Sequence, residues 1–185
     1  MIKRMTMLKK YSVFIVLLII LVFVSASDGW GQYVPNAPFK LQYSAAPDFT
    51  LKDLQGKTFR LSAQRGKPVL IFFGTTWCPG CRAEVPKYKK VHETYTPRGL
   101  VVVYINIMEP ASKVARFAKA NALSYRTLLD EDGREANKYN VVGVPMMILV
   151  DKEGYIIKAG HSSSEMPLDK VLPAIENSEK TFQRK

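Results

Sequence analysis

The sequence predicts an α/β domain: a central mixed β-sheet with helices on both faces. Three observations predict it. Two short, continuous apolar runs, residues 69–73 and 100–105, have the length and the branched or aromatic content of strands buried on both faces. A helical pattern separates them and makes a β-α-β unit. A second pair of apolar runs around a tight turn, then a final helix, adds antiparallel strands to that parallel core.

The first 27 residues stand outside this fold. Lys3, Arg4, Lys9 and Lys10 form a basic start, residues 13–24 are an unbroken apolar run, and Val24-Ser25-Ala26 supplies small residues suited to a signal peptidase. The run is shorter than the ~20 residues that span a bilayer comfortably. Counted from Tyr11 to Ala26 it is long enough to span with local thinning, with Trp30 and Tyr33 at the far interface. Cleaved signal peptide and retained N-terminal membrane anchor both stay open, and both send the rest of the chain outward by the positive-inside rule. No cysteine follows the run, which excludes a lipid-modified N-terminus. Residues 28–45, rich in Gly, Pro, Asn and Ser, read as a tether.

Within the domain, residues 46–177, the elements follow in order. Residues 49–61 alternate as a hairpin with Gln55-Gly56 at its turn. Arg65-Gly66-Lys67-Pro68 then punctuates the chain before the first buried strand. A helix is expected from residue 78 to about 95, a strand over 100–105, a helix near 112–122, a short strand around 127–129 and a helical turn near 134–139. Strands 146–150 and 155–159 flank the turn Asp151-Lys152-Glu153-Gly154, and a helix over about 168–177 closes the domain. Residues 178–185 read as a loose tail, and there are no internal repeats. Net charge is +11, falling to +7 without the four cations of residues 1–26. That charge is dispersed, serves solubility, and carries no nucleic-acid-binding motif.

Cys78 and Cys81, the only cysteines, sit in Trp77-Cys78-Pro79-Gly80-Cys81 at the expected junction of strand and helix. A bridge between them closes a loop worth only about 2 kcal/mol, against roughly 4.7 for a 100-residue loop, so it is a poor staple. Only His92 and His161 remain to complete a structural zinc site, and both lie far along the chain, so no metal is assigned. Cycling between dithiol and disulfide is what this spacing does well. Cys78, at the start of the helix where unpaired N–H groups favour a thiolate, is the candidate nucleophile, and Cys81 is the resolving thiol. Pro79 suits the first helical turn, and Gly80 keeps the surface low for an approaching disulfide. In an exported protein such a dithiol meets oxidised partners and depends on another protein to set its redox state.

Other residues surround this pair. The helix buries a stripe of Cys81, Val85, Tyr88, His92 and Tyr95. Glu84 borders it and is a candidate proton shuttle for Cys81, the alternative being a solvated side chain paired with Lys87. Pro86 falls inside the helix and is expected to bend it. Val144-Pro145 is a candidate cis bond whose backbone would pair with an extended partner. Trp77 is expected to shield the rim. His92 reads as a packed or half-exposed helix residue, His161 as surface, and Met146 and Met147 as packing.

The run from Val69 to Pro86, with Ala46-Pro-Asp-Phe-Thr-Leu51, Gly56-Lys57, Gly66-Lys67-Pro68 and Gly143-Val-Pro145 before Ile148-Leu-Val-Asp-Lys-Glu-Gly154, resembles the thioredoxin superfamily. More narrowly it is similar to the membrane-tethered TlpA/ResA-like thiol–disulfide oxidoreductases. The resemblance covers about residues 46–176. It implies a thioredoxin-like fold with an N-terminal β-hairpin, a central helix–strand insertion over residues 110–130, Pro145 cis and Pro86 as the helix kink. It also implies that Glu84 matches the group's active-site glutamate. Two departures stand out: Phe72 occupies the place of thioredoxin's buried aspartate, and Met146 replaces the threonine usual after the cis proline. The Gly-Ala-Pro-Glu signature of dedicated cytochrome c maturation reductases is absent.

The expectation is therefore an exported thiol–disulfide oxidoreductase, in the periplasm or on the outer face of the cytoplasmic membrane. It would act without a cofactor and reduce disulfides of envelope proteins, apocytochrome c among them. Trp77, Pro79, Gly80, Val144 and Pro145 would contact the partner, and a membrane electron-transfer protein would recharge the dithiol. A disulfide-donating oxidase is the nearest alternative. A thiol peroxidase is suggested by Thr75-x-x-Cys78, but Ile71 stands at that motif's proline and no arginine lies between Arg134 and Arg184. A Cu(I) chaperone would use the soft thiolates, but its C-x-x-x-C spacing is one residue longer.

Overall fold

The computed structural model describes residues 44–172. Seven strands form one sheet: β1 Thr50–Asp53, β2 Thr58–Arg60, β3 Val69–Gly74, β4 Val101–Ile107, β5 Arg126–Asp130, β6 Met146–Val150 and β7 Ile156–Gly160. Their order is β2-β1-β5-β4-β3-β6-β7. β3, β4 and β5 run parallel, and β6, β7, β1 and β2 join antiparallel at the two sides. Among the described residues, four α-helices accompany them: α1 Pro79–Tyr95, α2 Ala111–Ala120, α3 Arg134–Lys138 and α4 Leu168–Val171.

β3 is buried along its whole length because both of its faces are covered. Ile71 and Phe73 turn to one side, with Val103, Ile105 and Ile148, where Ala136 of α3 and Phe49, Phe59 and Leu61 of the hairpin segment pack. Leu70 and Phe72 turn to the other side, with Val102, Tyr104, Met147 and Leu149, under Tyr88 of α1 and Leu168 of α4. Each large apolar side chain buried this way stabilises the fold by about 1.5–3 kcal/mol. Phe72 stacks on Tyr88 at 3.8 Å between ring centroids and so pins α1 over the sheet. α1 continues through Pro86 to Tyr95. The fold is the expected thioredoxin-like one, with a mixed sheet and helices on both faces.

Polar ends account for the differences in strand bounds. β4 runs two residues past the apolar stretch because Asn106 is buried and bonded to Glu109. β5 begins and ends on charged residues, each held by a partner. Arg126 bonds Asp53 at 2.8 Å, and Asp130 accepts the N–H groups of Glu135 and Ala136 at the start of α3. The end of the expected tether is also corrected. Ser44 O accepts the Ile156 N–H at 2.8 Å and Ala45 bridges Tyr155, so the last tether residues are part of the fold. The leader or anchor of residues 1–27, the tether up to residue 43, the closing helix beyond Leu172 and the tail 178–185 lie outside the described residues. Among the described residues no helix is long and apolar enough to cross a membrane.

Candidate active site

β3 ends at Gly74, and four residues later Cys78 caps α1 with extended backbone (φ −72°, ψ 119°). Its side chain does what a cap must do. Cys78 Sγ accepts the Cys81 N–H at 3.3 Å, satisfying one of the donors a helix start leaves open. Pro79 occupies the first turn, where its missing N–H costs nothing. Both cysteines are free thiols. Cys81 is 1% exposed. Burial, reinforced by the Cys78 contact, pushes its thiol up to about 12, with the Thr75 N–H acting in the other direction. Cys81 is thus a protonated reserve thiol beneath Cys78.

The Val144–Pro145 bond is cis. Cys78 Sγ lies 3.6 Å from Val144 O, so that carbonyl, expected to be open for a partner, already faces the sulfur. A Cβ on Gly80 would stand 3.3 Å from Pro145 Cδ and 3.9 Å from Cys78 Sγ. Gly80, Pro145 and Cys78 therefore meet across a seam that glycine leaves open. Trp77, expected as a shield, is 63% exposed and stands in solvent instead.

Glu84 borders the buried stripe, its side chain 12% exposed. Among the described residues its hydrogen bonds go to Lys87 and to Ser163 Oγ, not to either cysteine. The i,i+3 pair weighed as the alternative is thus present beside the sheltered position. His92 is half-buried, and Met146 and Met147 pack within β6. His161 is exposed, but its Nδ1 lies 2.7 Å from Pro145 O, which brings it to the seam.

Two residues of the site escaped the sequence reading. Glu109, 4% exposed, accepts four hydrogen bonds: the Thr76 N–H and hydroxyl at 2.6 Å each, Asn106 Nδ2 at 2.9 Å and Lys113 Nζ at 2.7 Å. Burial alone would raise its carboxyl, but the bonds from Lys113, Thr76 and Asn106 together hold it below the usual carboxylate range. Lys113, four residues further along, was the available signal, since an i,i+4 pair opens α2. Tyr104 is the other. A Cβ on Gly74 would meet Tyr104 Oη at 2.3 Å and Cys81 Sγ at 3.1 Å, so the phenol and the buried thiol crowd one point under the helix start.

Comparison with known proteins gives a consistent picture. The AhpC/TSA family matches residues 43–159. The thiol-disulfide oxidoreductase ResA of Bacillus subtilis strain 168 is 32% identical over 157 residues, 82% of this chain and 86% of that one. ResA of Geobacillus kaustophilus is 37% identical over 113 residues, 61% of this chain and 65% of its own, so the match spans just under two thirds of that relative. The same holds for ResA of Geobacillus thermodenitrificans, at 66%. Among solved structures, the thioredoxin domain of a thiol-disulfide oxidoreductase from Bacteroides vulgatus superposes with a TM-score of 0.62 at 26% identity, over 67% of this chain and 91% of that one.

Proposed function

The chain belongs to the AhpC/TSA family and is TlpA/ResA-like within the thioredoxin superfamily, and from that premise we propose that it is a thiol–disulfide oxidoreductase that reduces disulfides in other proteins. The observation that carries this reading is the stacking of two unlike thiols. Cys78 caps a helix beside the cis Pro145 and Gly80, while Cys81 lies buried and protonated beneath it.

The step runs as two exchanges. A partner disulfide enters over Gly80 and Pro145, with the exposed Trp77 and the Val144 backbone at its margins. The Cys78 thiolate attacks one sulfur, and the partner's other sulfur leaves as a thiolate that takes up a proton. Cys81 then loses its proton and attacks Cys78 Sγ, which releases the second partner thiol and leaves a Cys78–Cys81 disulfide. Two electrons have passed to the partner. Glu84, sheltered on the same helix, is the proposed acceptor of the Cys81 proton. A membrane electron-transfer protein restores the dithiol.

The setting completes the proposal. The basic start and apolar run of residues 1–27 support the reading that the domain is exported, cleaved or anchored; its partners would then be envelope proteins, and apocytochrome c is one that fits a reductant of this kind. The test is the reduction potential of the Cys78–Cys81 couple in the full chain, equilibrated against glutathione or dithiothreitol. A value near or below that of thioredoxin, about −270 mV, supports the reductant. A value near the strongest disulfide donors, about −120 mV, reverses the direction and makes the protein an oxidase. A Cys81→Ala variant should accumulate mixed disulfides with its partners, and failure to trap any would remove the two-step mechanism.

A further inference from the structure

Glu109 is buried, charged and outside the exchange chemistry. Its two carboxylate oxygens hold both the N–H and the hydroxyl of Thr76, two residues before Cys78. Asn106, fully buried, adds a third bond, and Lys113, at 44% side-chain exposure, faces the carboxylate from the first turn of α2. An unpaired carboxylate in such a place would be costly, and breaking one side of a buried pair is strongly destabilising. All four partners are donors, so an acceptor-only carboxylate fits the site. The charge it brings there also acts on its surroundings.

We propose that Glu109 and Lys113 form a positioning and charge-setting pair for Cys78: the carboxylate fixes the Thr75–Trp77 loop and opposes thiolate formation on the nucleophile, and the lysine moderates that opposition. The inference rests on the exchange reading above and deepens it. Thr76 is two residues from Cys78, so the carboxylate lies on the order of 10 Å from the sulfur. At an effective dielectric near 20, unit charges at that separation shift an equilibrium roughly tenfold. A negative charge there disfavours the thiolate of the reduced dithiol, lowers the reduction potential, and so strengthens the protein as a reductant.

The test compares Glu109→Gln and Lys113→Gln in the full chain, with folding checked by circular dichroism. Glu109→Gln keeps acceptor and donor groups at Thr76 and removes the charge. It is expected to speed alkylation of Cys78 at neutral pH several-fold and, at alkaline pH where the reduced dithiol carries the thiolate, to move the exchange constant with glutathione about tenfold toward the reduced dithiol, about 30 mV. Lys113→Gln is expected to move both readings the opposite way by about two- to threefold, an effect that 1 M salt erases because the lysine is half in solvent. Shifts of the same sign in both variants would mean a slackened loop and no charge setting, and that result overturns the proposal, as does the absence of a shift in either. Should Glu109→Gln fail to fold, the sign of the Lys113→Gln shift alone decides. If the wild-type couple does not exchange with glutathione at all, the exchange reading has failed. If it exchanges normally and the variants match it, only the charge-setting pair has failed.

Discussion

Replacing Gly74 by alanine tests how crowded the floor beneath the dithiol is. Gly74 closes β3, is buried, and is not one of the left-handed glycines, so a methyl group there carries a steric cost and no backbone cost. That methyl would stand 2.3 Å from Tyr104 Oη, 3.0 Å from Tyr104 Cζ and 3.1 Å from Cys81 Sγ. The first distance is far inside contact, so the ring must move. It has little room: Tyr104 is 2% exposed, with Tyr125 and Tyr88 at 6.0 and 6.4 Å between centroids. Overpacking of a well-filled core costs about 1–3 kcal/mol. A clash this short against a clamped ring puts Gly74→Ala at the upper end, about 2–3 kcal/mol. Tyr104→Phe removes the offending oxygen, so in that background the same substitution should cost about 1 kcal/mol, a coupling of 1–2 kcal/mol. Urea unfolding of the four proteins, followed by far-UV circular dichroism with the dithiol kept reduced, reads both quantities. A Gly74→Ala cost below about 0.5 kcal/mol, or an equal cost in the two backgrounds, refutes the argument.

Four further outcomes are expected. In the reduced folded protein, iodoacetamide below pH 10 should block one cysteine, and peptide mapping should place it at Cys78, because burial pushes Cys81 up to about 12; comparable labelling of Cys81 contradicts that. Stability should also depend on alkaline pH with a definite sign. The folded-state value of Cys81 lies above its unfolded 9.0, and burial shifts the Tyr88, Tyr125 and Tyr139 phenols the same way, so this stability is complete below about pH 9 and lost as pH rises toward 12. The oxidised protein, in which Cys81 no longer titrates, should lose less, and equal melting curves for the two forms would count against the buried thiol. Glu84→Gln should slow release of the partner from the Cys78 mixed disulfide by about 10²-fold or more while leaving the first attack unchanged, as stopped-flow kinetics can separate; equal slowing of both steps removes the proton shuttle. Asp53 is buried and accepts the N–H groups of Gln55 and Lys57 as well as the Arg126 guanidinium, so Asp53→Ala should cost about 3 kcal/mol or more in a urea melt, and a loss under 1 kcal/mol would mean the hairpin is held by something else.

What was legible in the sequence divides by how the information is stored. A strand buried on both faces advertises itself as an apolar run, so β3 and β6 were readable almost to the residue. Strands that end on buried polar groups do not. β4 and β5 were read short because Asn106, Arg126 and Asp130 look like loop residues until their partners are known. The dithiol was legible because both sulfurs and the helix start that holds them lie within four consecutive residues. Pro145 sits 67 residues from Cys78 and entered only through a family resemblance and a modest expectation for X-Pro bonds.

Tyr104, and the place of Glu109 against the Thr76 loop, were out of reach for a different reason, which is register. In the parallel pairing of β3 with β4, Phe72 lies beside Tyr104 and Gly74 beside Asn106. That alignment puts the one β3 residue without a side chain where the phenol reaches toward Cys81. It also brings the turn after β4 against Thr76. A one-residue slip would send every side chain of β4 to the other face, placing Val103 or Ile105 under the sulfur and taking Glu109 out of reach of the loop. No spacing within either strand specifies this alignment. It follows from the two apolar faces being filled at once, Phe72 stacking on Tyr88 on one side and Phe73 tilting against Tyr139 at 5.4 Å on the other. The motif supplies the reacting sulfurs, while the packing of the sheet decides which groups surround them. Variants that change core shape near Phe72 or Phe73 should therefore alter the redox behaviour of a site whose motif they leave intact.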